Sequence, residues 1–131
     1  MASEMAVWAE AGLPEEGRKA SSRPVDLVHL SRYTLGEREL EAEVLELFCT
    51  QATIYLERLR QAGSDKDWKD AAHSLKGSAS AIGAWRAAAS AERAEALSGE
   101  ALAQGQDFRL RDIESAVREA ETYIGTLLED R

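Results

Sequence analysis

The chain has 131 residues, 44% of them hydrophobic, which is room for one domain with a single modest core and too little for a multidomain enzyme. Asp and Glu number 24 against 16 Lys and Arg, and the net charge of −8 repels phosphate backbones and anionic lipid, which excludes nucleic acid and membrane surfaces as first partners. Cys49 is the only cysteine, so no intrachain disulfide can form, and the apolar run from Met5 to Trp8 behind Glu4 is too short for a secretory signal or a membrane span, so a cytoplasmic protein is expected.

Residues 1–24 mix Gly12, Pro14, Gly17, Ser21, Ser22 and Pro24 with scattered charges, a composition that cannot bury enough apolar surface to offset its ordering entropy. They are read as a flexible N-terminal extension, in which Met5, Val7 and Trp8 are able to dock as a short amphipathic latch or through a partner. The folded domain is expected over residues 25–131. A short helix over 25–33 follows Pro24 and ends before Gly36. Over 37–62, Leu40, Val44, Leu47, Phe48, Gln51, Ile54, Tyr55 and Leu59 recur at spacings of three and four, which predicts a long helix with that stripe toward the core and its glutamates toward water. Cys49 sits in this helix as a small, buried residue.

Gly63 ends that helix, and Ser64 or Asp65 can cap the next, whose stripe is Trp68, Ala72, Leu75, Ala79 and Ile82 before Gly83. Trp85, Ala88, Ala89, Glu92 and Ala96 mark a fourth helix whose small residues permit close approach. A last helix is expected over 108–128, with Ile113, Val117, Ala120, Ile124 and Leu127 as its seam. The expected fold class is all-α: an antiparallel up-and-down four-helix bundle with a short additional N-terminal helix, and one self-contained bundle of this kind favours a monomer.

The chemistry concentrates in the third helix. At about 100° per residue, its apolar stripe lies within about 40° of one direction and His73 points about 140° away, toward solvent. One turn before and one turn after His73 stand Lys69, Lys76 and Gly77. A glycine inside a helix costs roughly 1 kcal/mol relative to alanine, and here it removes the side chain that would shield the imidazole. Ser80 and Ala84 are expected to continue this low relief, so that Gly77, Ser80 and Ala84 form a surface for a partner. An ordinary histidine titrates near about 6.5 and is largely neutral at pH 7, with a lone pair able to attack phosphorus. The negative charge of a phosphoryl group can be offset by Lys76 and, more weakly, by Lys69. No general base, metal-ligand cluster or triad partner stands nearby, and no cofactor or metal is expected. His29 lacks such surroundings and is read as structural.

The run Ala71, Ala72, His73, Ser74, Leu75, Lys76, Gly77, Ser78, followed by Gly83 and Ala84 and preceded by Asp67 and Trp68, resembles the signature of histidine phosphotransfer (HPt) domains, over about residues 25–129. It is most similar to the small free-standing bacterial type. The resemblance implies a four-helix bundle in which His73 is phosphorylated, Lys76 steadies the phosphoryl group and Gly77 keeps the site open. It also implies a phosphocarrier without kinase activity of its own, served by receiver domains of response regulators and hybrid histidine kinases. Some members place a polar residue of the next helix near the phosphoryl group; Glu92, Arg93 and Glu95 all lie in that region, and spacing does not choose among them. Two other readings compete: the phosphoacceptor part of a histidine kinase, which typically has an acidic residue where Ser74 stands, and a structural or partner-binding bundle without phosphotransfer.

Overall fold

The computed structural model describes residues 23–129, and among these residues there are five α-helices and no strand. In chain order α1 is Leu27–Thr34, α2 Arg38–Arg60, α3 Asp65–Ala81, α4 Trp85–Glu95 and α5 Gly99–Glu129. Residues 1–22 of the expected extension lie outside the described residues. No helix among the described residues is long and apolar enough to cross a membrane.

Local chemistry sets the helix starts. Asp26 Oδ1 accepts from the backbone N–H of His29 at 3.1 Å, capping α1, and Ser64 Oγ accepts from that of Asp67 at 3.1 Å, capping α3. Asp65 and Asp67 add negative charge at the positive end of the α3 dipole. Asp65 Oδ2 also accepts from Gly99 N at 2.8 Å, which ties the start of α5 to the start of α3. The last helix therefore begins at Gly99, well before the expected residue 108. The Asp65 contact and the burial of Leu102 anchor the added turns.

Each of the four longer helices packs on its neighbour in the chain, and α5 returns to α2, so that α2 to α5 enclose one core; α1 packs on α2. The α3 stripe is buried as expected, with Trp68, Ala72, Leu75, Ala79 and Ile82 at most 1% exposed. The α5 seam also holds: Ile113, Val117, Ala120 and Ile124 are buried and Leu127 is half-buried against them. On α2 the expected stripe is displaced. Leu45, Phe48, Ala52, Leu56 and Leu59 face the core, while Leu40, Leu47 and Ile54 are exposed. This helix carries apolar residues over more than half its circumference, and α3 and α5 cover only one side of it. On α4 the buried residues are Ala87, Ala88, Ser90, Ala91 and Ala94, so the seam is rotated from the expected one, because alanines on several faces leave its direction open. Cys49 is half-buried, and burial together with nearby carboxylates pushes its thiol above the ordinary value.

Two fastenings, one part-buried and one buried, fix how α3 and α4 meet. At the turn between them Gly83 adopts φ +72°, and a Cβ there would lie 2.5 Å from Asp26 Cβ. Asp26 N donates to Gly83 O at 3.0 Å, and Asp26 Oδ2 accepts from Trp85 Nε1 at 3.2 Å, so the residue that caps α1 also pins it across this turn. At the other end, Trp68, wholly buried, donates from Nε1 to the carbonyl oxygen of Ala94 at 2.7 Å. Ser90 and Arg93 both donate to Asp112 and hold its carboxyl below the usual range, against burial that alone would raise it. This joins α4 to α5.

Trp68→Phe keeps most of the buried area but loses the indole bond, while the Ala94 carbonyl keeps the Leu97 N–H at 3.1 Å, and should cost about 0.5–1.5 kcal/mol in urea unfolding with helicity retained. Trp85→Phe should cost less, because Asp26 is only half-buried and its carboxylate can turn to water. Equal losses from the two variants would deny the Trp68 bond its special weight.

His29 is 3% exposed and stands edge-on to the rings of Tyr33 and Trp85. Burial lowers its pKa from the ordinary value of 6.5, and Asp26 and a bond to the Ser80 backbone only partly oppose this. In the unfolded chain the same ring takes a proton near 6.5, so its contribution to stability is full above that pH and declines as pH falls below it. The urea midpoint should therefore drop between pH 7.5 and pH 5.5 at about the histidine value, and His29→Phe, which keeps the ring contacts, should flatten that drop. Parallel profiles for the two proteins would contradict this assignment.

Candidate functional site

His73 projects from the outer side of α3 with its side chain 56% exposed, as the helical wheel predicts. Its Nδ1 lies 2.9 Å from Glu95 Oε2, and because an ionised carboxylate can only accept, Nδ1 carries the hydrogen and donates it. The other carboxylate oxygen, Oε1, lies 3.1 Å from Lys76 Nζ, whose side chain is only 17% exposed. One carboxylate thus joins the two α3 residues. In the neutral ring this leaves Nε2 as the nitrogen with a lone pair, on a half-exposed imidazole.

The position of Glu95 follows from the fold. It is the last residue of α4 and directly follows Ala94, whose carbonyl holds the Trp68 indole. Trp68 is on α3 together with His73 and Lys76, so the same bond that joins the two helices sets the carboxylate over the imidazole. Of the residues that spacing left open, Arg93 turns to Asp112 on α5 at 3.0 Å and Glu92 is exposed. Glu95 is the member that reaches the site. Counting helical rise from the turn at Gly83 puts both Glu92 and Glu95 within about one turn of His73, and a glutamate side chain spans that difference, so rise alone does not separate them.

The remaining expected residues divide. Lys69 is exposed one turn before His73. Gly77 is half-buried, and a Cβ built there would meet nothing within 4 Å, so no internal contact requires a glycine at this place. Ser80 and Ala84 do not form the accessible surface expected of them: they are 6% and 0% exposed. The wheel places Ser80 outward, but α1 and Asp26 lie across that end of α3 and cover both residues, with Asp26 on Gly83 and His29 beside the Ser80 backbone. The open face instead runs from His73 over Gly77, Ser74 and Ser78 toward α2, where Gln51 Oε1 accepts from Ser78 Oγ at 3.1 Å. Among the described residues no three His, Cys, Asp or Glu side chains gather as metal ligands.

The chemistry this arrangement allows is nucleophilic attack by a ring nitrogen on a group brought by another molecule. An oriented imidazole stands on an open face with a carboxylate behind it and the Lys76 ammonium on that same carboxylate, and among the described residues no second catalytic group contacts it.

Comparison with known proteins agrees with this geometry. No curated protein and no solved structure matches the chain. The family model described as Hpt domain matches residues 43–128, from the first third of α2 to the end of α5 and including the whole site. That match spans well over half of the chain, which therefore belongs to the Hpt domain family, the phosphocarrier modules of histidine phosphorelays.

Proposed function

We propose that His73 is the phosphoacceptor, taking a phosphoryl group from an aspartyl phosphate of one receiver domain and passing it to an aspartate of another. The observation that carries this reading is the Glu95 contact to Nδ1, which leaves Nε2 as the attacking nitrogen on the exposed side of the ring. In the forward step the Nε2 lone pair forms the N–P bond as the P–O bond to the aspartate breaks, and the aspartate leaves as a carboxylate. Nδ1 keeps its hydrogen. The ring becomes a phosphoryl-imidazolium whose positive charge Glu95 balances, and the reverse step returns the phosphoryl group to a carboxylate with no net proton transfer.

Lys76 already shares the Glu95 carboxylate and lies one turn from His73, where its ammonium offsets part of the phosphoryl charge; Lys69 adds a weaker contribution from the other side. Gly77 gives a receiver domain room to bring its aspartate to the imidazole. In this reading α2 to α5 form an antiparallel up-and-down four-helix bundle with α1 across one end. Residues 25–131 are the phosphotransfer unit, a monomer acting in the cytoplasm with receiver domains of response regulators and hybrid histidine kinases as partners and without kinase activity of its own. Residues 1–24 are an extension to it.

Incubation with phosphorylated receiver domains tests the reading. The native protein should gain acid-labile, alkali-stable label, and His73→Gln should gain none while keeping its circular dichroism and thermal midpoint, because the lost side chain is mostly in solvent. Label retained by the variant places the acceptor elsewhere. Label absent from both proteins favours a bundle that binds partners without phosphotransfer. Gly77→Gln should hold or raise stability, since the helix gains propensity and a Cβ at this place meets nothing within 4 Å, yet slow transfer more than twofold. Transfer within twofold of native would mean that Gly77 is not there for docking.

A further inference from the structure

The exposed stripe on α2 is a face the bundle does not use. Leu47 and Ile54 are 54% and 45% exposed, with Leu40 at 36%. The three stand seven residues apart. Seven residues fall about 20° short of two full turns, so all three stay within about 40° of one direction over about 21 Å of helix. Apolar residues at this spacing form the seam along which one helix packs lengthwise on another. Among the described residues no helix takes that place, because α3 and α5 pack on the other side of α2.

The charges beside the strip indicate which helix fits it. Glu37, exposed, stands one turn before Leu40, and Arg58, also exposed, stands one turn beyond Ile54, its guanidinium stacked over Tyr55 at 5.7 Å. Glu43 lies between Leu40 and Leu47. A second α2 laid antiparallel, with the two-fold axis near Leu47, sets leucine on isoleucine at both ends and glutamate beside arginine at both ends, and it opposes the two helix dipoles. A parallel pairing would set Glu43 on Glu43 and Arg58 on Arg58, like charge against like. The strip is thus complementary to a reversed copy of itself. The net charge of −8 opposes association at long range, but physiological salt screens it beyond about 8 Å, while the glutamate and arginine pairs meet at contact.

We propose that α2 is the contact of a weak two-fold dimer, in which Leu40 meets the partner's Ile54 and Glu37 meets the partner's Arg58, and that this dimer is the closed form of the carrier. A contact of this length falls at the small end of interfaces, below about 1,200 Å² in total, so the dimer forms at high concentration and comes apart on dilution. Gln51, between Leu47 and Ile54 on α2, accepts from Ser78 on α3, so the strip borders the face that carries Gly77 and His73. A second bundle seated there stands where a receiver domain has to approach. The closing of the site rests on the phosphoacceptor reading of His73; the dimer itself does not.

Sedimentation equilibrium of the full chain tests the contact. The native protein should have the mass of one chain at micromolar concentration and approach twice that mass in the millimolar range. Leu47→Glu should keep the mass of one chain throughout, with its circular dichroism unchanged. Glu37→Arg and Arg58→Glu should each weaken the dimer about threefold or more, and the double variant should return to within about twofold of native, because the exchanged charges face each other again. A native mass of one chain at every concentration, a Leu47→Glu protein that still dimerises, or a double variant no better than the single ones would overturn the proposal. So would receiver binding that is lost in Leu47→Glu while the native chain stays single, which assigns the strip to the receiver. With a trace of phosphorylated receiver domain as donor, the second-order rate constant of labelling should fall about threefold or more between the dilute and the dimeric solution of the native protein, and stay level for Leu47→Glu. A rate constant that does not fall overturns the closed form. Label absent from both proteins overturns the phosphoacceptor reading, while the masses still decide the dimer.

Discussion

The hydrogen bond from the Trp68 indole to the Ala94 carbonyl is the constraint on which the site depends. An indole N–H inside an apolar core must find an acceptor, and the carbonyls at the C-terminal end of a helix have no partner within that helix. The last turn of α4 meets the first half of α3 at this bond, where the Ala94 carbonyl takes the indole N–H beside the Leu97 N–H that it also accepts. The seam of Ala87, Ala91 and Ala94 lets the two helices come close enough for it to form. With Ala94 fixed, the next residue has little choice of place, and Glu95 falls over His73 and Lys76. A core-packing requirement thereby becomes an orientation for the His73 side chain.

None of the polar contacts at the site is strong by itself. His73 and Glu95 are partly in water, and exposed ion pairs of this kind contribute about 0–1 kcal/mol to stability. Their value lies in geometry. A carboxylate on Nδ1 selects one tautomer and presents the other nitrogen, much as partners of metal-bound histidines fix the ring and its tautomer. A carrier has to give its cargo up as readily as it takes it, so a site that orients without holding tightly suits exchange in both directions.

Much of this was legible in the residues, for reasons that differ from element to element. On α3 the large apolar residues all fall on one side, so Trp68, Leu75 and Ile82 define the core direction and leave His73 and Gly77 facing out. On α2 Leu40, Leu45, Leu47, Ile54 and Leu56 point in too many directions for periodicity to choose, and the half that faces inward depends on where α3 and α5 come to lie. Ser80 and Ala84 show the same limit: a wheel tells which residues leave their own helix's core side but not which other element lies over them, and here α1 does. The early start of α5 rests on Asp65 receiving the Gly99 N–H from across the chain, a contact that local pattern cannot carry. Glu95 was within the group that spacing allowed, and the bond made by its neighbour Ala94 singles it out.

Which ring nitrogen of His73 receives phosphorus is the most direct test of the Glu95 contact. If Trp68 and Ala94 set Glu95 against Nδ1, the phosphoryl group can join only Nε2, and nitrogen and phosphorus magnetic resonance of the full chain, labelled by a phosphorylated receiver domain, should show phosphorus bonded to Nε2 of His73 with the hydrogen retained on Nδ1. Phosphorus on Nδ1, or on any residue other than His73, would contradict it.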